Sequence, residues 1–94
     1  MTNLIKGKEL SEKIIQNIKD IGFVENFDDK MCNAKIFHKQ HENKYWIWKI
    51  SYLEIEQHMI IFIIDSSNDE DIYFKGKIDN VKDFYDIIRL LEIK

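Results

Sequence analysis

The sequence predicts an α+β fold, a two-layer sandwich in which a four-stranded antiparallel meander sheet is flanked by an N-terminal and a C-terminal helix (αββββα). Three observations predict it. Two short apolar runs lie within residues 44–65, KYWIWKISYLEIEQHMIIFIID, and each suits a strand. Apolar stripes with helical spacing lie near both ends of the chain. Short polar segments separate the apolar runs, as in a meander. The 94 residues predict one domain, 1–94.

Residues 1–7 form a lead-in to the first predicted helix. One stripe predicts this helix: Leu10, Ile14, Ile15, Ile18 and Ile21. Ser11 is placed to cap its N-terminus, and a start one turn earlier is the alternative. Gly22 is placed to end it, as glycine often does just beyond a helix. We expect Phe23, Val24 and Phe27 to lie in a loop that closes the bottom of the core.

The first strand is predicted over residues 31–38, MCNAKIFH. Neither of its alternating phases is cleanly apolar, which is typical of an edge strand that carries lysines. The polar residues 39–43 then form the loop that leads into the next strand.

The second and third strands form the centre of the predicted sheet. One phase of residues 45–53 is apolar throughout and is expected to face the core: Trp46, Trp48, Ile50 and Tyr52. The run 59–64 is apolar at every position, which indicates a strand covered on both faces or a short buried helix. Six residues that include four isoleucines favour the strand. The turn near Glu56 and Gln57 lacks the Gly or Asn that tight hairpins prefer.

The polar residues 66–70, SSNDE, predict a turn into a fourth strand over residues 72–78. Its phases are Ile72, Phe74, Gly76 and Ile78 on one side and Tyr73, Lys75 and Lys77 on the other. Asn80 is placed to cap the last helix. The buried stripe of that helix is predicted to be Val81, Phe84, Ile87, Ile88 and Leu91.

Both helices are expected to pack on the side of the sheet that carries Trp46 and Trp48. The other side then keeps an apolar surface, made by half of the run 59–64 together with Tyr45, Ile47 and Tyr73, and rimmed by Lys49, Lys75 and Lys77. An apolar patch of this kind usually marks an interaction surface. The alternative is that one helix covers each face, in which case no patch exists.

Composition and charge narrow the class of protein. The net charge of −3 argues against nucleic-acid binding, which usually brings a basic excess. One cysteine, Cys32, excludes an internal disulfide framework and suits a reducing compartment, so a cytoplasmic location is predicted. The N-terminal residues MTNLIKGKEL lack the apolar centre of a signal peptide. No apolar run approaches the ~20 residues that span a bilayer, so no membrane contact is predicted.

Two sets of side chains have residue types that can bind metal ions. Cys32, His38, His41 and His58 have the residue types of a zinc site but lack its usual spacing, and three solvated histidines with a packed cysteine explain them better. The loop after residue 64 carries alternate acids, but it lacks the central glycine and the final acid of a calcium loop. No nucleophile stands at a useful spacing from a base. The sequence therefore predicts no metal, no cofactor and no enzyme activity.

Size, acidic charge and a composition with eighteen Ile against one Ala are typical of small inhibitors encoded by AT-rich phages and mobile elements. We therefore expect a non-enzymatic protein that neutralises a protein partner by occlusion, as toxin-immunity proteins, antitoxins and phage-encoded inhibitors of host defence do. A basic nuclease or toxin would suit its acidic loop. The predicted partner-binding residues are Asp65, Asp69, Glu70, Asp71, Tyr45, Ile47 and Tyr73. The alternative is a homodimer or larger assembly, a structural or ligand-binding module whose second sheet face pairs with its own copy.

Overall fold

The structure, a computed structural model, describes the backbone of residues 2–29 and 34–94 and the side chains of residues 8–26 and 34–94. The elements follow in the order α1 (Thr2–Asp20), β1 (Val24–Asp29), β2 (Ala34–Gln40), β3 (Ile47–Leu53), β4 (His58–Ile64), β5 (Glu70–Lys77) and α2 (Val81–Leu90). The strands form one antiparallel sheet in the order β1-β2-β3-β4-β5. The predicted α+β two-layer meander is confirmed, with five strands instead of four.

The additional strand is β1, in a segment that was predicted to be a loop. Phe23 is buried, as expected of a residue that closes the core, but Val24 begins the strand and its side chain is 63% exposed. The acidic sequence VENFDD has low strand propensity, and a bulge between Glu25 and Phe27 interrupts its alternation. β2 consequently lies inside the sheet and is not the edge strand that its lysines suggested. Residues 31–33 of the predicted first strand lie outside the described residues.

Helix α1 is longer than its apolar stripe indicated, because it already includes residues of the predicted lead-in. Ser11 lies within the helix and is buried, so the prediction that it caps the N-terminus is wrong. Its hydroxyl instead donates to the carbonyl oxygen of Glu54 at 2.9 Å and lies 3.3 Å from the hydroxyl of Tyr52. This pair of buried hydroxyl groups fixes the middle of α1 against β3.

The end of α1 follows the prediction. Gly22 has φ of +103°, the left-handed conformation that suits glycine just beyond a helix. Its N–H donates to the carbonyl of Lys19 at 3.0 Å, and the N–H of Phe23 donates to the carbonyl of Ile18 at 3.3 Å. These two bonds make a Schellman motif, which places Phe23 in the core.

Helix α2 begins where Asn80 predicts. The Asn80 side chain accepts a hydrogen bond from the N–H of Asp83 at 2.8 Å, so the predicted cap is confirmed. The helix ends in a second Schellman motif, but Glu92 occupies the left-handed position at φ of +55°. The next residue, Ile93, is buried against the core.

Both helices pack on the same face of the sheet. Residues of α1 and α2 share one core cluster with alternate residues of the inner strands: Ile14, Ile18, Phe84 and Ile88 from the helices, and Phe37, Trp48, Ile50, Tyr52, Met59, Ile61 and Ile63 from the sheet. This is the arrangement in which the second sheet face keeps an apolar patch. Trp46 precedes β3 and is only partly buried at the margin of this cluster.

Candidate functional site: the open face of the sheet

The strand residues that alternate with the core residues form the other side of the sheet, which we call the open face. The strand registers place these positions in rows across the sheet: Ala34, Leu53, His58 and Lys77; Ile36, Ser51, Ile60 and Lys75; His38, Lys49, Phe62 and Ile72; and Gln40, Ile47, Ile64 and Glu70. None of them belongs to the core cluster or packs against it. In the described part of the chain, no helix covers this face.

Strand β4 is apolar on both faces although the helices cover only one of them. Met59, Ile61 and Ile63 are buried in the core, while Ile60, Phe62 and Ile64 are only half-buried on the open face. A strand with one solvated face normally alternates apolar and polar residues. The continuous run in β4 therefore makes the open face a candidate interaction surface.

The open face is apolar along its centre and charged on one flank. Lys49 lies across the middle, with its Nζ 4.9 Å from the ring centroid of Phe62 and 2.9 Å from Oε1 of Glu70. This ion pair neutralises Lys49 within the face. Lys75 and Lys77 are exposed at the β5 side. The open face thus offers an apolar centre, with lysines at the far end of β5 and the acidic β4–β5 loop at the opposite end of that strand.

His38 is the titratable group nearest the centre of the open face on β2. It lies opposite Lys49 in register, and its Nδ1 is hydrogen-bonded to the Asn26 side chain. Burial and the neighbouring Lys49 ammonium lower the pKa of His38 below its ordinary value of 6.5, with the Glu70 carboxylate acting weakly in the opposite direction. The imidazole is therefore held neutral, and the face does not gain a charge there at neutral pH.

Of the three apolar residues predicted for the partner surface, only Ile47 lies on the open face, where its side chain is 39% exposed. Tyr45 is exposed in the β2–β3 loop. Tyr73 is turned the other way, since its ring lies 5.7 Å from that of Trp48, a core residue. A bulge opposite Ile61 inserts Tyr73 as an extra residue and moves it to the helix side, so its predicted placement is wrong.

The bulge also changes which side chains of the last strand share a face, so the predicted phases of this strand are partly wrong. Phe74 and Gly76 remain on the helix side, but Ile72 pairs with Phe62 and joins the open face, where it is 58% exposed. Ile36 is another apolar residue of this face that the sequence did not single out, because neither alternating phase of its strand is cleanly apolar. The signal that could have found both residues is the apolar run of β4, since its neighbours across the sheet must share its second face.

The four acids predicted for partner binding have different local roles. Asp65 folds the β4–β5 turn, because its Oδ1 accepts from the N–H groups of Ser67 at 2.8 Å and Asp69 at 3.1 Å. Glu70 is paired with Lys49. Asp69 in the loop and Asp71 at the start of β5 are exposed, and in the described structure their carboxylates make no hydrogen bond or ion pair, so they carry the outward charge at this end of the sheet. This loop continues from the end of the open face that holds Ile64 and Ile47.

The histidines do not come together. His38 lies on β2, His58 begins β4 opposite Leu53, and the ring of His41 packs 5.1–5.2 Å from those of Trp46 and Trp48. Cys32 lies outside the described residues. In the described part of the chain, no three His, Cys, Asp or Glu side chains converge on a point that could hold a metal ion.

In comparisons with known proteins, the chain matches no family model, no curated protein and no solved structure. Among the helices that the structure describes, none has the length and the apolar character needed to cross a membrane.

Proposed function

We propose that this chain is a small, non-enzymatic binding protein that neutralises a protein partner by covering part of its surface. The observation that supports the proposal best is the open face, an apolar sheet surface that no helix of the described chain covers. Burial of such a surface against a partner is the main favourable term in most protein associations.

The size of the open face suits a protein partner. Five strands about 4.8 Å apart and about seven residues long span roughly 500 Å² in projection, and the corrugated accessible surface is larger. One side of a standard protein interface buries about 800 Å². The open face with the adjoining β4–β5 loop therefore provides enough surface for one specific interface.

The exposed acids suggest the chemistry of the partner. Asp69 lies in the loop at one end of the open face, Asp71 follows at the start of β5 with its side chain on the helix side, and the chain has a net charge of −3. Charges at the rim of an interface accelerate encounter with an oppositely charged surface. We therefore infer a basic partner, such as a nuclease or toxin in the cytoplasm, and a role as an immunity protein, an antitoxin or a phage-encoded inhibitor of host defence.

The test compares proteins captured by the wild type with those captured by a variant that blocks the open face. Ser51 lies at the centre of this face between Ile36 and Ile60, so Ser51→Arg adds a long cation there and removes no core contact. Gln16→Arg is the control, since it adds the same charge on the exposed side of α1. The lysate comes from the cells that produce the protein.

We expect a specific partner to be captured by the wild type and by Gln16→Arg and to be lost with Ser51→Arg. The pair Asp69→Lys and Asp71→Lys should mainly slow association with the same partner, which surface plasmon resonance measures. If Ser51→Arg captured the same proteins in the same amounts as the wild type, the open face would not be the binding surface.

A further inference from the structure

The outer edge of β5 is a second candidate interaction surface, separate from the open face. β5 is the last strand of the sheet, and in the described part of the chain no strand pairs with its outer side. It is eight residues long, and Ile72 and Tyr73 are 58% and 48% exposed beside this edge. A long edge strand with unpaired N–H and C=O groups is a template for a strand from another chain.

The charges along β5 make the strand complementary to a second copy of itself. Glu70 and Asp71 stand at its start, and Lys75 and Lys77 stand near its end. A second β5 that runs antiparallel beside the first brings the acidic end of each strand next to the basic end of the other. Opposite charges in facing positions stabilise a strand pair, whereas like charges destabilise it.

The bulge makes the distribution of side chains along β5 symmetric about its centre. Glu70, Ile72, Lys75 and Lys77 share the open face, and Asp71, Tyr73, Phe74 and Gly76 share the helix side. Facing residues of an antiparallel pair must project on the same side of the sheet. An alignment centred between Tyr73 and Phe74 satisfies this condition at all eight positions, whereas a strand with strict alternation of its side chains would not.

We propose that two copies of this chain pair edge to edge through β5 and form one continuous ten-stranded sheet. A two-fold axis then passes between Tyr73 and Phe74. Glu70 of each copy faces Lys77 of the other, and Ile72 faces Lys75, whose methylene groups can cover it. On the helix side, Tyr73 faces Phe74 twice across the axis, which brings four aromatic rings together.

The groups at the ends of the strand remain able to make these contacts. Glu70 uses Oε1 for Lys49 at 2.9 Å, which leaves its second carboxylate oxygen for a lysine of the other copy. The ion pair of Lys77 with Asp79 is long, at 3.7 Å, and both side chains are exposed. Such a contact contributes little and gives way easily.

Pairing through β5 leaves the open face uncovered. The two-fold axis is perpendicular to the sheet, so both open faces lie on the same side of the continuous sheet. The dimer is thus independent of the proposed function and would present two adjacent copies of the partner surface. The opposite edge, β1, has an acidic sequence without a basic half, so it lacks the self-complementary pattern of β5.

The same features have a competing explanation. Lysines and bulges on an edge strand can also prevent it from pairing with another chain. Solution mass separates the two explanations. A protected edge gives a monomer of 11.4 kDa, whereas the proposed pairing gives twice that mass at sufficient concentration.

The experiment is light scattering over a wide concentration range, with two charge-reversal variants. The first is Glu70→Lys with Asp71→Lys, and the second is Lys75→Glu with Lys77→Glu. Each places like charges in facing positions, so the dissociation constant of the dimer should rise at least about tenfold. The control matched to the second variant is Lys44→Glu with Lys82→Glu, which makes the same charge change in the β2–β3 loop and on α2.

The decisive sample is an equal mixture of the two charge-reversal variants. One has a wholly basic strand and the other a wholly acidic strand, so the mixture should form a heterodimer at concentrations at which neither variant dimerises alone. Circular dichroism checks that each variant is folded. A wild type that stays monomeric over the whole range would overturn the proposal, as would reversals that leave a dimer intact. Ser51→Arg should keep the dimer, which separates this test from that of the proposed function.

Discussion

At the residue scale, the buried hydroxyl of Ser11 links the middle of α1 to β3 and to the residue that follows it. A serine before an apolar stripe is a common helix cap, but this serine lies inside α1 and contacts groups more than forty positions away. Because its single hydroxyl proton is used for the carbonyl of Glu54, the hydroxyl of Tyr52 donates to Ser11. Burial raises the pKa of Tyr52, with Ser11 acting in the opposite direction. Only the packing of α1 on β3 creates this arrangement.

His38 gives a prediction about pH. Its pKa in the folded protein is lowered by burial and by Lys49, so the unfolded chain binds its proton more readily. The folded state therefore keeps its full stability above the ordinary value of 6.5 and loses stability as the pH falls below 6.5 towards the lowered pKa. Urea unfolding at a series of pH values from about 7.5 to about 5.5 measures this loss.

The control for this prediction is His38→Asn, which cannot titrate. We expect the variant to lose less stability than the wild type over the same range, whatever its stability at neutral pH. If the free energy of unfolding had the same slope against pH in the two proteins, His38 would have the same pKa in the folded and unfolded states, which would contradict the prediction.

At the scale of the elements, those with a strong apolar periodicity or a recognisable cap could be predicted from the sequence, and the others could not. α2 was predictable because Asn80 and an apolar stripe mark it, and β4 because a short run with four isoleucines favours a strand over a buried helix. β1 was not predictable, since three acids reduce its strand propensity and a bulge disturbs its alternation. The bulge in β5 likewise depends on pairing with β4, which a single strand sequence does not encode.

The C-terminus of α2 gives a prediction about stability. Glu92 occupies the left-handed position that glycine prefers, at φ of +55°. Because a side chain is strained in this conformation, Glu92→Gly should raise the free energy of unfolding by about 0.5–1 kcal/mol. The midpoint of urea unfolding should increase with its slope unchanged.

Gly22→Ala is the matched control at the corresponding position of α1. Gly22 has φ of +103°, and a Cβ atom there would lie 3.2 Å from Nζ of Lys39, so this change should destabilise the protein. A Glu92→Gly variant that is no more stable than the wild type would contradict the strain assigned to Glu92.

At the scale of the whole molecule, the sequence was sufficient for the two-layer arrangement because two helices and one sheet have few ways to bury their apolar sides. It also predicted an uncovered apolar face, and the structure places Ile47 and half of β4 there. It misplaced Tyr73 and missed Ile36 and Ile72, because the composition of this face depends on the register and the bulges of all five strands. Because the side chains of this face are mainly apolar, they do not specify the chemistry of a partner.

The central claim is that the isolated protein has one covered and one open sheet face. The most direct measurement is the paramagnetic broadening of β4 side-chain signals by a soluble gadolinium chelate in NMR spectra. We expect strong broadening for Ile60, Phe62 and Ile64 and little for Met59, Ile61 and Ile63, in strict alternation. Equal protection of both sets would contradict the claim, because the second face would then be covered by the chain itself or by another copy.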